Sequence, residues 1–531
     1  MTAAAPRALT VLLGGRSLPE AVTGRVASVR VAARLNRPTQ CEVTLHTAPG
    51  SAALTGPVQI GASLDVHLDG RPEALFTGEV TAVEIEYAAD GTAILRVRGY
   101  DPLHRLRKRQ RIRVFESVSA AGLATELCAD LGLRVEAEVD GPHLDRLPHH
   151  RPSDLDLLVE VAARAGLHLT VDGDVLRLVT LDGYGEAIPL ELGRDVHGLR
   201  LSVNADSAAG ESAVLGWHPQ RAEAMAQSVG TPRCGRRTPA DPDPADVGAD
   251  GTRTALDQPG RSDDEIAALA QARLDTRAAA LVTADGTAEG TPALRPGRRI
   301  RLTGVAEPVA GTYVLTEVVH TVDANGHLSR FSTLPPPAPR TGTPAPAVVT
   351  LGTVTDVSDP DGLGRVRVEL PAYGGADAGW LAVLCPGAGR GKGLVALPDP
   401  QDSVLVALPG GEPASGVVLG SLFGTVEPCD TGIDDGRARR WSLRTAGGQQ
   451  VVVDDVARSL RLSTDGGSWL ELTPQLATLH AATDLVLSAP GRAMVVRARS
   501  VDFLHAETVE DPQTAAEQAR MLARAHHEGG S

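Results

Sequence analysis

The stretch CPGAGRGKGLVALP, residues 385–398, carries the reading on which the fold turns. It crowds glycines around Gly391-Lys392, as a phosphate-binding loop would. Such a loop reads G-x-x-x-x-G-K-[ST] between a strand and a helix: glycine backbone wraps the phosphates, the lysine neutralises them, and the hydroxyl holds Mg²⁺. Here the first glycine position is Pro386 and the hydroxyl position is Gly393. The following GLVALPDP is short, β-like and rich in proline, so no helix dipole faces an anion. A dinucleotide loop fails for want of the same helix. A glycine-rich connection between strands fits instead.

Outward from that connection, residues 348–425 contain five short strand patterns: VVTLGTVTDV, GRVRVELP, WLAVLCP, SVLVALP and GVVLGSLF. Five such strands with Gly/Pro turns predict an OB-fold barrel. LPPPAPRTGTPAPA (334–347) precedes it as an extended, semi-rigid linker, the clearest domain boundary in the chain. From residue 440 on, short alternating segments recur, starting roughly every 7–10 residues: SLRLS (459–463), WLEL (469–472), ATLH (477–480), DLVLS (484–488), MVVRA (494–498) and VDF (501–503). That short period predicts a β-solenoid or an intertwined β-helix over 437–507, whose rungs are too narrow to bury a face alone. A helix through AAEQARMLARA, capped by Asp511 with Pro512 in its first turn, is expected within the tail 508–531.

Upstream, residues 1–100 alternate as strands with Gly, Asp and Asn turns, which a closed or nearly closed barrel would accommodate. Residues 101–184 mix helix and strand. SVSAAGLATELCADLG (117–132) reads as a helix capped by Ser117 or Ser119. SDLDLLVEVAARAGL (153–167) reads as another, capped by Ser153 or Asp154, with Leu157, Val161 and Ala162 buried. A hairpin follows, turning on Asp172-Gly173. Residues 185–333 return to strands, interrupted by 230–262, a turn-rich segment expected to be a long exposed loop. Ser262 and Glu265 form an S-x-x-E signature opening a helix.

Bulk composition narrows the function classes. The 531 residues suffice for about three to five domains. Aromatics are 3%, which argues against base- or sugar-stacking surfaces, and the net charge of −15 disfavours nucleic acid and anionic membranes. Five scattered cysteines, none in C-x-x-C, read as reduced thiols. The N-terminus is too weak for a signal peptide, and no run of 18 mostly apolar residues occurs.

No segment carries convincing chemistry. DPDGLGRV (359–366) hints at a calcium loop, but the fifth and twelfth positions are Leu363 and Leu370, so a β-turn is expected. RGYDPLHRLRKRQRIRV (98–114) is strongly basic in an acidic chain: either a solvated strand–helix edge or a dock for an acidic protein ring. His149-His150 and His526-His527 are adjacent pairs that diverge on strand or helix, so neither chelates a metal within one chain. Around a threefold axis, the His526 pair or His505 could share an ion. Neither G-x-S-x-G nor H-E-x-x-H occurs, and no glycosidase-like acid pair stands out. Catalytic, cofactor-binding and metal residues are therefore expected to be none.

The order of these parts resembles the spike proteins of contractile injection systems: VgrG of type VI secretion, the spike of extracellular injection particles, and the fused hub and puncturing spike of contractile phage tails. FTGEV (76–80), RGYDPLHRL (98–106) and SDLDLLVEVAARAGL resemble the hub. Residues 290–331 resemble its second barrel, and 352–423 resemble the OB module most specifically. The resemblance covers roughly residues 70–505. It implies a mainly β chain: hub barrels at 1–100 and 185–333 flanking an α+β part at 101–184, then the linker 334–347, an OB-fold barrel at 348–425, and a trimeric β-helix needle at 437–507.

It further implies a non-enzymatic homotrimer that adapts a hexameric inner tube to a three-fold needle, assembles in the producing cell's cytoplasm with baseplate proteins, and pierces a target envelope on sheath contraction. A PAAR-type tip cap and effector cargo are the partners it adds. The membrane would be met only by puncture. Two alternative readings are a carrier loading cargo through 508–531 and a cell-wall hydrolase spike. The chain lacks the lysozyme-like segment some phage spikes carry, and its needle is short.

Overall fold

A computed structural model describes residues 9–47, 58–68, 71–89, 92–337, 347–501 and 503. The chain divides into two compact units, 1–422 and 423–531. The expected helix at 511–526, with His505, His526 and His527, lies outside the described residues, as does most of the linker, 338–346.

In the first unit, the N-terminal strands pair antiparallel because their apolar residues alternate. Strand Ala93–Tyr100 turns Ala93, Leu95 and Val97 inward, while Arg96 and Arg98 face outward onto Glu84, Glu86 and Glu42. This sheet does not end at residue 100. Strand Val26–Arg34 pairs with Glu317–Asp323, and one eleven-stranded sheet runs through both expected hub barrels.

Between them sit two capped helices. Ser119 caps Ala120–Cys128 by accepting from Gly122 N, and Ser153 caps Asp154–Arg164 by accepting from Asp156 N. On the second helix Leu155, Leu157, Leu158 and Ala162 are buried, whereas Val161 is half-buried. The expected stripe is thus shifted toward Leu158. The hairpin His168–Asp172/Val175–Val179 turns on Gly173-Asp174, one residue later than expected, because Gly173 supplies the positive φ of 63°.

Segment 230–262 departs from the expected exposed loop. Thr252–Pro259 is a strand paired in parallel with Glu211–His218, and Cys234 and Ala255 are buried. Gly216 permits the pairing: a Cβ there would lie 2.0 Å from the Gln258 carbonyl oxygen. Helix Asp263–Ala280 opens at Ser262, whose Oγ accepts from Glu265 N, and covers that sheet with Ile266, Leu269 and Ala270.

Residues 348–422 form a closed five-stranded barrel in the order Val348–Asp356, Val366–Leu370, Ala376–Val383, Val417–Leu422 and Ser403–Leu408. Val354, Val366, Val368, Leu381, Val404, Val406 and Val418 fill it and are sealed from solvent.

In the second unit, Arg440–Arg444, Gln450–Asp454, Ser459–Ser463, Trp469–Leu472 and Ala477–His480 make one antiparallel meander. The expected strands at 484–488 and 494–498, and Val501 and Phe503 of 501–503, pair with nothing among the described residues. No described strand lies beside them, and Phe503 stands 94% exposed.

Candidate functional site

Gly391-Lys392, Asp359, the basic stretch 98–114 and the His149-His150 pair each make contacts within the chain. Around Gly391-Lys392, Gly389 N donates to the Lys392 carbonyl and Lys392 N donates back, closing a two-residue turn with Gly391 at φ 70°. No helix follows it before strand Ser403–Leu408. Asp359 is the hub of a turn: its carboxylate accepts from the backbone N–H groups of Asp361, Leu363 and Arg365 and from the Arg365 guanidinium. Those donors hold its carboxyl well below the usual carboxylate range and occupy the oxygens a cation would need.

The basic stretch 98–114 is largely neutralised. Glu79 accepts from His104 Nε2 and Arg105 Nη2, each at 2.5 Å, and its carboxyl is lowered to about 2, chiefly by Arg105. Arg109 lies 2.7 Å from Asp130, and the Arg107 guanidinium stacks over Tyr100. Asp101, buried, accepts from Thr39 and Leu103 N–H while burial pushes its carboxyl up to about 6. His149 is buried against Asp154 at 2.9 Å, while His150 bonds the Pro148 carbonyl, so the two rings point to different partners. Among the described residues no His, Cys, Asp or Glu cluster could hold a metal.

The feature without an internal role is one face of the C-terminal meander. Its register aligns two unbroken apolar rows: Trp441, Val453, Leu460, Leu472 and Ala477 in one, and Leu443, Val451, Leu462, Leu470 and Leu479 in the other. The opposite face holds polar pairings, with Arg461 over Trp469 and Trp469 stacked on His480. Side chains alternate along a strand, so the ten apolar residues share one side of the sheet. Among the described residues most of them stand open to solvent: Trp441 is 72% and Leu462 41% exposed, while Val451 and Leu470 are half-buried. An apolar patch of this size marks an interaction surface. Strand spacing signals the elements in the sequence; the common face emerges only from the register.

A second feature, which the sequence did not reveal, is the seam between the helical part and the barrel. Arg146 Nη2 lies 2.6 Å from Asp377 Oδ2, and Arg146 also pairs with Glu116 at 2.9 Å. Arg367 approaches the same Asp377 oxygen from the barrel side.

Residues 32–326 match the family described as phage tail baseplate hub (GPD), and residues 350–423 match the type VI secretion system/phage-baseplate injector OB domain. No curated relative matches the sequence. Among solved structures, an E. coli type VI secretion component, described as structurally similar to the T4 phage tail proteins gp27 and gp5, aligns at TM-score 0.51 with 13% identity, over 78% of this chain and 99% of its own. The Francisella PdpA–VgrG complex aligns at TM-score 0.52 with 9% identity, over 89% of this chain and 79% of the other. At such identities the likeness is one of fold.

Proposed function

Because the chain belongs to the phage tail baseplate hub family, we propose that it is the hub and spike of a contractile injection machine, acting as a trimer. The observation that carries this reading is the pair of apolar rows on the C-terminal sheet. Three such faces turned toward a common axis would bury one another, each fully covered Leu or Val contributing about 1.5–3 kcal/mol. Residues 484–488 and 494–498, which join no sheet among the described residues, would gain neighbouring strands from the other copies. Winding three chains together leaves few free edges and gives a stiff needle.

The hub would meet the tube. If the sheet's two halves each made one contact, three copies would offer six contact surfaces around the axis, which suits a six-fold ring on one side and a three-fold needle on the other. In this reading sheath contraction supplies the work and the spike transmits force without catalysis. The matched families are structural: a baseplate hub and an injector domain. A hexameric tube protein, baseplate proteins and a tip cap are the partners it requires. Assembly would occur in the cytoplasm of the producing cell, within a phage tail-like particle, and the target envelope would be met only on piercing.

Electron microscopy of the purified protein tests the assembly. End-on views should show three-fold symmetry and side views a narrow needle. Isolated single hubs would refute the proposal.

A further inference from the structure

The glycine-rich loop 385–402 links barrel strand Ala376–Val383 to barrel strand Ser403–Leu408. Its residues 386–396 are all exposed, yet they fold into a defined arm. Ala388 N donates to the Cys385 carbonyl and Leu394 N to the Pro386 carbonyl, while Gly387, Gly391 and Gly393 supply the positive φ that such close turns need. We propose that this loop is a clasp between copies of the chain: the basic tip of one arm pairs with the acidic foot of the next copy's loop, head to tail, and Leu394 and Val395 are covered in the contact.

The loop carries both halves of such a contact. At its tip stand Arg390 and Lys392, exposed, with no carboxylate within ion-pair distance among the described residues. At its foot stand Asp399 and Asp402, exposed and equally without a cation among the described residues. The nearby turn offers the tip no free partner, because Arg365 already holds Asp359 and Asp361, each at 2.6 Å. The foot is anchored to the barrel wall: the Asp402 carbonyl accepts from Val354 N, Gln401 N donates to the Val354 carbonyl, and Asp402 Oδ2 accepts from Asp399 N at 2.9 Å. Between tip and foot, Leu394 is 50% and Val395 76% exposed. Opposite charges that share a loop but do not meet within one chain are complementary to those of a second copy. A head-to-tail contact of this kind closes into a ring when its rotation fits the number of copies. The path of the chain favours it too. Leu422 pairs with Ser403, beside the foot, so the chain leaves the barrel there on its way to the C-terminal sheet. Winding three such sheets together brings three loops within reach of one another; the inference rests on that trimer.

The test is zero-length carbodiimide cross-linking of the full-length protein, with its solution mass measured on the same sample. An exposed ion pair adds little stability, so a covalent bond formed between its two groups reads the contact better than melting does. The chain has only two lysines, Lys108 and Lys392, which makes the reacting amine easy to assign. Chains joined to one another should carry an amide between Lys392 Nζ and the carboxyl of Asp399 or Asp402, identified by peptide mass spectrometry. Lys392→Arg, which keeps the charge on an exposed turn but removes the amine, should abolish that product. Asp399→Asn/Asp402→Asn should abolish it as well. A trimer in which Lys392 joins no other chain, or joins one through a carboxylate elsewhere, would overturn the clasp and leave the trimer standing. A single-chain mass would overturn both.

Discussion

Arg146 and Asp377 join the helical part of the hub to the five-stranded barrel. Their side chains meet at 2.6 Å, and Arg146 Nε also donates to the Asp377 carbonyl oxygen at 3.1 Å. The arginine is only 15% exposed and Asp377 29%, so the contact is partly shielded from water. Gly379, at φ 84°, gives Arg146 its room: a Cβ there would lie 2.9 Å from the arginine's Cδ.

Arg146→Ala should therefore cost about 1–3 kcal/mol, the range for a charge-assisted bond whose acceptors are left half-buried. Differential scanning calorimetry should show the barrel melting apart from the hub. Arg367→Ala, at the more exposed partner, should cost less.

Gly216→Ala should break the parallel pairing of Thr252–Pro259, since the new methyl would run into the Gln258 carbonyl. We expect a loss of about 1–3 kcal/mol and faster amide exchange across 252–259, with the barrel at 348–422 unaffected.

Asp359→Asn should destabilise the barrel by about 2–3 kcal/mol, because Arg365 loses its principal acceptor and the turn loses charge-assisted bonds. Calcium should not change the melting temperature of the wild type. Lys392→Ala, on an exposed turn, should stay within about 0.5 kcal/mol of wild type, and ATP should not shift either protein's melting.

Acid should loosen the hub. His320 and His327 lie against each other on adjacent strands, and burial lowers them to about 3 and about 4. The unfolded chain takes up these protons near pH 6.5 and the folded chain does not. Between those limits the unfolded state binds more protons, so their contribution is intact above about pH 6.5 and is lost as pH falls toward 4. His168, lowered to about 4, adds in the same sense, while Asp101, raised to about 6, opposes it. His320→Gln/His327→Gln should flatten the fall in urea midpoint across that window.

Sequence alone made the β architecture legible where a pattern is local. Ser119, Ser153 and Ser262 cap their helices because each places an oxygen opposite a free N–H of the first turn. The strands at 459–463, 469–472 and 477–480 appear where alternation marked them. What failed depends on distant partners. Thr252–Pro259 is a strand because Gly216, far upstream, leaves space for it. The Arg146–Asp377 contact spans 231 residues, and no local rule links its ends. Residues 484–498 have strand-like composition, yet a strand exists only where another lies beside it. The shared apolar face was invisible for the same reason: register, not spacing, puts Leu462 beside Val451 and Leu470.

Light scattering, through the solution mass, shows whether this face is buried between copies. The chain weighs 55.2 kDa. We expect a wild-type species near three times that mass, and a folded single-chain species for Leu462→Glu/Leu443→Glu, whose charges cannot be buried unpaired. A well-folded wild-type monomer, or a double variant that keeps the trimer mass, would contradict it.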